Sequence, residues 1–170
     1  VVELLDLVNE RDEVIGTCSR DDQGKPHVIT RNVVVYLRDS AGMYVVQVRA
    51  KTKSRWPGCF DFAACGSVKA GETYLAGAQR ELEEELGVRC ELHLLHKEYR
   101  EVPHNGTIMR LHTVYFHGVY DGTFAKTPEV DAVLKLSHGQ IDNFIAAKDK
   151  RVQPYFVEEW DVLCACLSRL

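Results

Sequence analysis

The chain lacks the spacings of a stapled domain: its six cysteines include no CxxC pair and its seven histidines no HxxxH arrangement. A zinc site and a secreted disulfide scaffold are therefore disfavoured. Cys18, Cys59, Cys65, Cys90, Cys164 and Cys166 are expected to be reduced thiols, mostly small core residues, in a cytoplasmic protein. No apolar run is long enough to span a bilayer, and the first residues form no charged-then-apolar leader. No basic arm or aromatic-basic platform is present, and a net charge of -4 argues against a nucleic-acid partner. Internal repeats and low-complexity stretches are missing too, so 170 residues at 45% apolar and 27% charged read as one globular domain over 1–170.

Strands come first in what is present. Residues 2–8 and 14–18 read as an N-terminal hairpin around a polar turn at 9–13, an edge element within 2–18. Residues 33–37 and 43–48 read as two central, neighbouring strands joined at Asp39-Ser40-Ala41-Gly42. A basic loop, RAKTKSRWPG over 49–58, follows and ends in a Pro-Gly turn, with Trp56 taken as a packing anchor. Later come long strands over 89–100 and 107–120, a turn at 102–106, and a last strand over 130–136. Ser137 with Gln140 makes a capping box for a helix at 138–147, and Pro154 suits the first turn of a final helix, which places C-terminal helices within 138–170. The pattern predicts a mixed α/β domain with helices on both sides of the sheet.

The chemistry concentrates in residues 66–88, GSVKAGETYLAGAQRELEEELGV. Thr73 can cap a helix of about four turns that Gly87 ends in a left-handed conformation. Leu75, Ala78, Leu82 and Leu86 recur at three- and four-residue steps as an apolar stripe, and Glu81, Glu84 and Glu85 share an adjoining face. Glutamate runs are ordinarily solvated helix flanks. Here Glu81 faces both Glu84 and Glu85 with only Arg80 to offset them, and a hard divalent cation with oxygen ligands resolves that repulsion. The basic loop before the helix carries Arg49, Lys51, Lys53 and Arg55; on spacing alone it reads as a solvated linker, while its place ahead of a carboxylate helix would suit these side chains to phosphate oxygens.

The run matches the pattern G-x5-E-x7-R-E-U-x-E-E-x-G-U, with U aliphatic, at Gly66, Glu72, Arg80, Glu81, Leu82, Glu84, Glu85, Gly87 and Val88. It resembles the signature of the Nudix hydrolase superfamily, the Nudix box, which here spans 66–88. The resemblance implies an α/β/α sandwich with a mixed β-sheet between helices, and a Mg²⁺-dependent enzyme, with Mn²⁺ as substitute, that splits a small-molecule diphosphate. It also implies that Glu81, Glu84 and Glu85 hold metal and take part in catalysis. Water activation would fall to Glu81 or to a carboxylate outside the box, for which Glu129 is the candidate. Arg80 would orient the glutamates, Glu72 would tie the box loop to the helix, and Gly66 and Gly71 would permit close backbone approach.

Beyond the box, from about residue 4 to 136, the chain is similar to the branch containing isopentenyl diphosphate isomerase, whose catalytic cysteine falls at Cys65. The isomerase's histidine positions, however, fall on or near Gln23 and Thr30 and on Ser67, and its Glu-x-Glu strand reads Arg110-Leu111-His112-Thr113-Val114 here. Phosphoanhydride hydrolysis by metal-activated water is therefore expected over isomerisation, with a nucleoside diphosphate or its derivative as first substrate class. A third reading, a non-catalytic diphosphate-binding regulator, sits poorly with an intact set of box glutamates.

Overall fold

The computed structural model describes residues 2–104, 106–125 and 127–168. Strands β1 (Leu4–Val8) and β2 (Val14–Ser19) form the expected hairpin as a sheet of their own. The main mixed sheet contains β3 (Ile29–Arg38), β4 (Tyr44–Arg49), β5 (Phe60–Asp61), β6 (Ala64–Ser67), β7 (His93–His104), β8 (Thr107–Val119) and β9 (Val130–Leu136). Its order is β5-β4-β3-β8-β7, with β6 on β3 and β9 on β4; β3 and β8 run parallel, from Ile29 opposite Arg110 to Arg38 opposite Val119. Helices α1 (Tyr74–Leu86), α2 (His138–Ala146) and α3 (Pro154–Leu167) complete the fold.

Alternation along β3 explains the layering, since successive side chains of a strand point to opposite faces. Val33, Val35 and Leu37 join Ala78, Leu82 and Leu86 of α1 in one core, while Val34 and Tyr36 join Phe62, Phe156 and Trp160 in another against α3. A strand buried on both faces reads as the continuous apolar run seen at 33–37. Thr73 accepts from the Ala76 amide and Gly87 adopts φ 65°, so α1 starts and stops where its caps predict. Ser137 and Gln140 cap α2 reciprocally, and Pro154 opens α3. Leu82 is wholly buried in the first core; Leu82→Ala is expected to cost about 2–5 kcal/mol of stability by chemical denaturation.

Several expectations change. Strands β3 and β4 meet only at Arg38 opposite Tyr44, then diverge, because β6 takes the pairing positions of β3 from Asn32 to Val35 and β9 takes those of β4. The short β5 and β6 carry no pattern long enough to announce them. Strand β7 starts at His93, later than the expected 89, and runs through the supposed turn to His104 opposite Thr107. Leu75 is 41% exposed and leaves the apolar stripe, whose core-facing side includes Gly77, Glu81 and Glu85 instead. Trp56 is also 41% exposed, on a left-handed backbone of φ 47°, and meets Tyr155 edge-on rather than anchoring the core. All six cysteines are free and only partly buried, so none is a fully enclosed core residue.

The hairpin is clamped to the box. Arg31 Nε donates to Asp12 Oδ1 at 2.7 Å, and Arg31 Nη1 reaches Asp6 at 3.3 Å. Tyr74 Oη and Lys97 Nζ donate to Asp12 Oδ2 at 2.8 and 2.5 Å, and the Gly71 amide donates to Asp6 at 3.1 Å. Burial alone would raise the Asp12 pKa, but bonds from Lys97, Arg31 and Tyr74 outweigh it and hold the carboxyl below 3.8. A carboxyl whose folded pKa is depressed stabilises the fold above its unfolded pKa and loses that contribution as pH falls through the folded one. Asp12→Asn is therefore expected to lower Tm at pH 7, with the gap from wild type closing as the pH drops below about 3.8. A gap independent of pH would contradict the clamp.

Candidate active site

Helix α1 packs on β3 and β6, beside the opening left where β4 diverges from β3. Glu85 points into that opening, 3% exposed, and its Oε2 accepts from Gln47 Nε2 of β4 at 2.7 Å and from the Cys65 amide of β6 at 3.3 Å. Burial first, then the nearby Asp61 and Glu81 charges, push the Glu85 pKa to about 8. Glu81 is buried one turn earlier, and burial raises its pKa against the pull of Arg80. Glu84 is half exposed at the rim, 3.6 Å from Lys69. The three carboxylates thus share a cleft wall, although Glu81 and Glu85 are far less solvated than their polar spacing suggests.

Arg80 organises this wall. Its Nε and Nη2 donate to the Glu72 carboxylate at 2.8 and 3.0 Å, Nη2 donates to the Ser67 carbonyl at 2.9 Å, and Nη1 donates to Glu81 at 2.6 Å and Glu84 at 3.2 Å. Glu72 also accepts from the Lys69 amide at 2.9 Å, closing the loop onto the helix. Gly66 has no room for a Cβ, which would collide with the Glu81 carboxyl, while Gly71 adopts φ 78° in open space.

The cations and the outside carboxylate converge on the same cleft. Arg49, Lys53 and Glu129 line it with the box glutamates; Lys53 and Glu129 form an ion pair, and Arg49 Nη1 donates to buried Asp61 at 2.7 Å. Arg55 lines the adjoining pocket rather than the glutamate wall, and Lys51 is exposed outside it. Arg20 escaped the sequence reading. It follows β2, pairs with Glu3 at 2.7 Å, and lies in the field of Glu81 and Glu129. A solitary arginine in Ser19-Arg20-Asp21-Asp22 gives no pattern to find, whereas Gln47 and Asp61, single polar residues among apolar neighbours, did carry a signal.

Among the described residues no three His, Cys, Asp or Glu side chains come together as a ready-made ion cage. The donor set nonetheless fits a hard cation: all the ligands on offer are carboxylate oxygens, like charges crowd Glu85, and Gly66 leaves space for Glu81 alone. Such an ion keeps several waters and shares substrate phosphates, so an open set suits it.

Residues 28–156 match the family model of the NUDIX domain. The chain belongs to the Nudix family. A Yersinia pestis protein described as an uncharacterised Nudix hydrolase is 33% identical over 129 residues, which cover 76% of this chain and 69% of that one. An uncharacterised Nudix hydrolase of Pseudomonas aeruginosa is 44% identical over 87 residues, covering 51% and 52%, so that alignment spans about half the length of either protein. A crystal structure from Deinococcus radiodurans superposes with a TM-score of 0.69 at 31% identity, over 85% of this chain and 90% of the other. The curated relatives carry the description Nudix hydrolase, and the alignment spans about half the length of the Pseudomonas protein. They do not single out the isomerase-like branch. The three positions at or near which the isomerase would place histidines are bonded to one another here: Gln23 Nε2 donates to Thr30 Oγ1 at 2.9 Å and to Ser67 Oγ at 3.3 Å. Cys65 sits beside them with its thiol pKa raised by burial and by Glu159, Asp61 and Glu85, which keeps it protonated.

Proposed function

We propose that this Nudix hydrolase is a Mg²⁺-dependent pyrophosphohydrolase that cleaves the phosphoanhydride bond of a nucleoside diphosphate or a derivative. The observation that carries the reading is one cleft lined by the carboxylates Glu81, Glu84, Glu85 and Glu129 together with the cations Arg20, Arg49, Lys53 and Lys69. Glu81, Glu84 and Glu85 would hold the metal, which when bound supplies an activated water and screens phosphate charge. Arg49 and Lys53, with Arg20, bind and orient the diphosphate by charge-assisted hydrogen bonds, and Arg55 extends that cationic edge into the next pocket. Glu129 lines the same cleft, paired with Lys53, and can take the proton of the attacking water once Lys53 turns to phosphate. Arg80 and Glu72 position the carboxylates without touching substrate. Six free cysteines suit a reducing, cytoplasmic setting.

A panel of diphosphates assayed with Mg²⁺, with a chelated control, tests the proposal. Metal-dependent release of phosphate or nucleoside monophosphate is the expected result; binding without turnover of any member would favour a regulator instead. Isopentenyl diphosphate belongs in the panel, because solvent proton exchange into it, lost in Cys65→Ala, would reinstate the isomerase reading.

A further inference from the structure

A second pocket opens off the glutamate cleft, sharing Arg20, Arg49 and Cys65 with it. Trp56 and Tyr155 lie on its walls with Met109 and Leu111 of β8, and Glu159 of α3 lines its depth. Glu159 is 3% exposed, and its Oε2 is buried with no hydrogen-bond partner. The nearest guanidinium is already engaged: Arg100 donates to Glu158 at 2.6 Å and to Tyr115 Oη at 3.0 Å, and stands 3.6 Å from Glu159 Oε1. Tyr36 holds the backbone beneath by donating to the Glu159 carbonyl at 2.6 Å. A buried carboxyl oxygen without a hydrogen-bond partner is costly and rare, and it calls for an explanation by something the pocket receives.

The surroundings restrict what that is. Arg49 and Arg55 among the lining residues repel a cationic group. A hydrocarbon tail would leave Glu159 Oε2 as poorly satisfied as before. Aromatic and thioether walls suit a flat ring, which can stack or pack edge-on while presenting an N–H to the carboxyl. We propose that Glu159 is a specificity-determining residue: it accepts a hydrogen bond from a ring N–H or amino group of a neutral planar base attached to the diphosphate. The assignment rests on the diphosphate reading of the adjoining cleft. It separates base-bearing substrates from isoprenoid ones through a residue of the final helix, outside the box altogether.

The test is a metal-free calorimetric titration of the full chain with nucleoside monophosphates and with ribose 5-phosphate. Wild type is expected to bind base-bearing ligands at least tenfold tighter than ribose 5-phosphate. In Glu159→Leu that preference should collapse while the affinity for ribose 5-phosphate stays within twofold. Glu159→Gln, nearly isosteric, keeps the experiment decisive if the leucine variant misfolds: it should change the ratio of cytidine to uridine monophosphate affinities at least fivefold. A preference absent from wild type, an unchanged ratio in the variants, or a parallel loss of ribose 5-phosphate binding would overturn the assignment. Because no metal or cleavage is involved, the result is independent of whether diphosphates are hydrolysed. Conversely, hydrolysis of every diphosphate regardless of its base would leave the hydrolase reading standing and remove this one.

Discussion

Glu81→Gln is expected to lower kcat for diphosphate hydrolysis by about 10²–10⁴-fold at saturating Mg²⁺, the range lost with a positioned acid-base or metal-holding carboxylate. Glu81 is buried beside Gly66, bonded to Arg80 at 2.6 Å, and faces the cleft that also holds Glu85 and Glu129. The amide keeps the volume and can still accept from Arg80, so Tm should stay within a few degrees. Glu83→Gln supplies the control. Glu83 belongs to the same glutamate run but faces away and pairs with Arg89 at 2.7 Å, so its loss should leave kcat within about twofold, as surface ion pairs contribute little. Near-wild-type turnover in Glu81→Gln would remove that carboxylate from the mechanism.

Gly66→Ala is expected to be nearly as damaging without altering any charge. Gly66 of β6 pairs with Val33 of β3, which pins its backbone, and an added methyl would occupy the space of the Glu81 carboxyl. The carboxylate has to move, and a displacement of about 1 Å in a reacting constellation costs on the order of 10²-fold in rate. The comparison is Gly71→Ala. Gly71 has φ 78° and nothing within 4 Å of where an added methyl would lie, so the change should cost about 1–2 kcal/mol of backbone strain and spare turnover. Comparing kcat with Tm in the two variants separates crowding from strain; equal kcat losses would contradict the role assigned to Gly66.

The parts of this molecule that are legible in its sequence are those fixed by neighbours. Thr73 and Gly87 delimit α1, Ser137 and Gln140 start α2, and the 33–37 run marks the buried strand, because caps and periodicity act over a few residues. The family signature adds the set of glutamates. What was not legible depends on distant partners: that β3 leaves β4 for β6, that Glu85 meets Gln47, and that Arg20 returns from the hairpin to the cleft. Glu159 falls between. It lies three residues after Phe156 and four before Leu163, on the core side of its helix, and a carboxylate at such a spacing is a sign of burial that composition alone conceals.

The parallel pairing of β3 with β8 has a kinetic consequence. Ile29 must wait for Arg110, and the α1 helix between them can form long before the sheet that gives its glutamates a wall. Refolding followed by helix signal and by recovered turnover should therefore separate in time, with catalytic competence trailing. Until β4, β6 and the segment at Glu129 gather on that sheet, the chain carries a complete signature and no cleft to use it in.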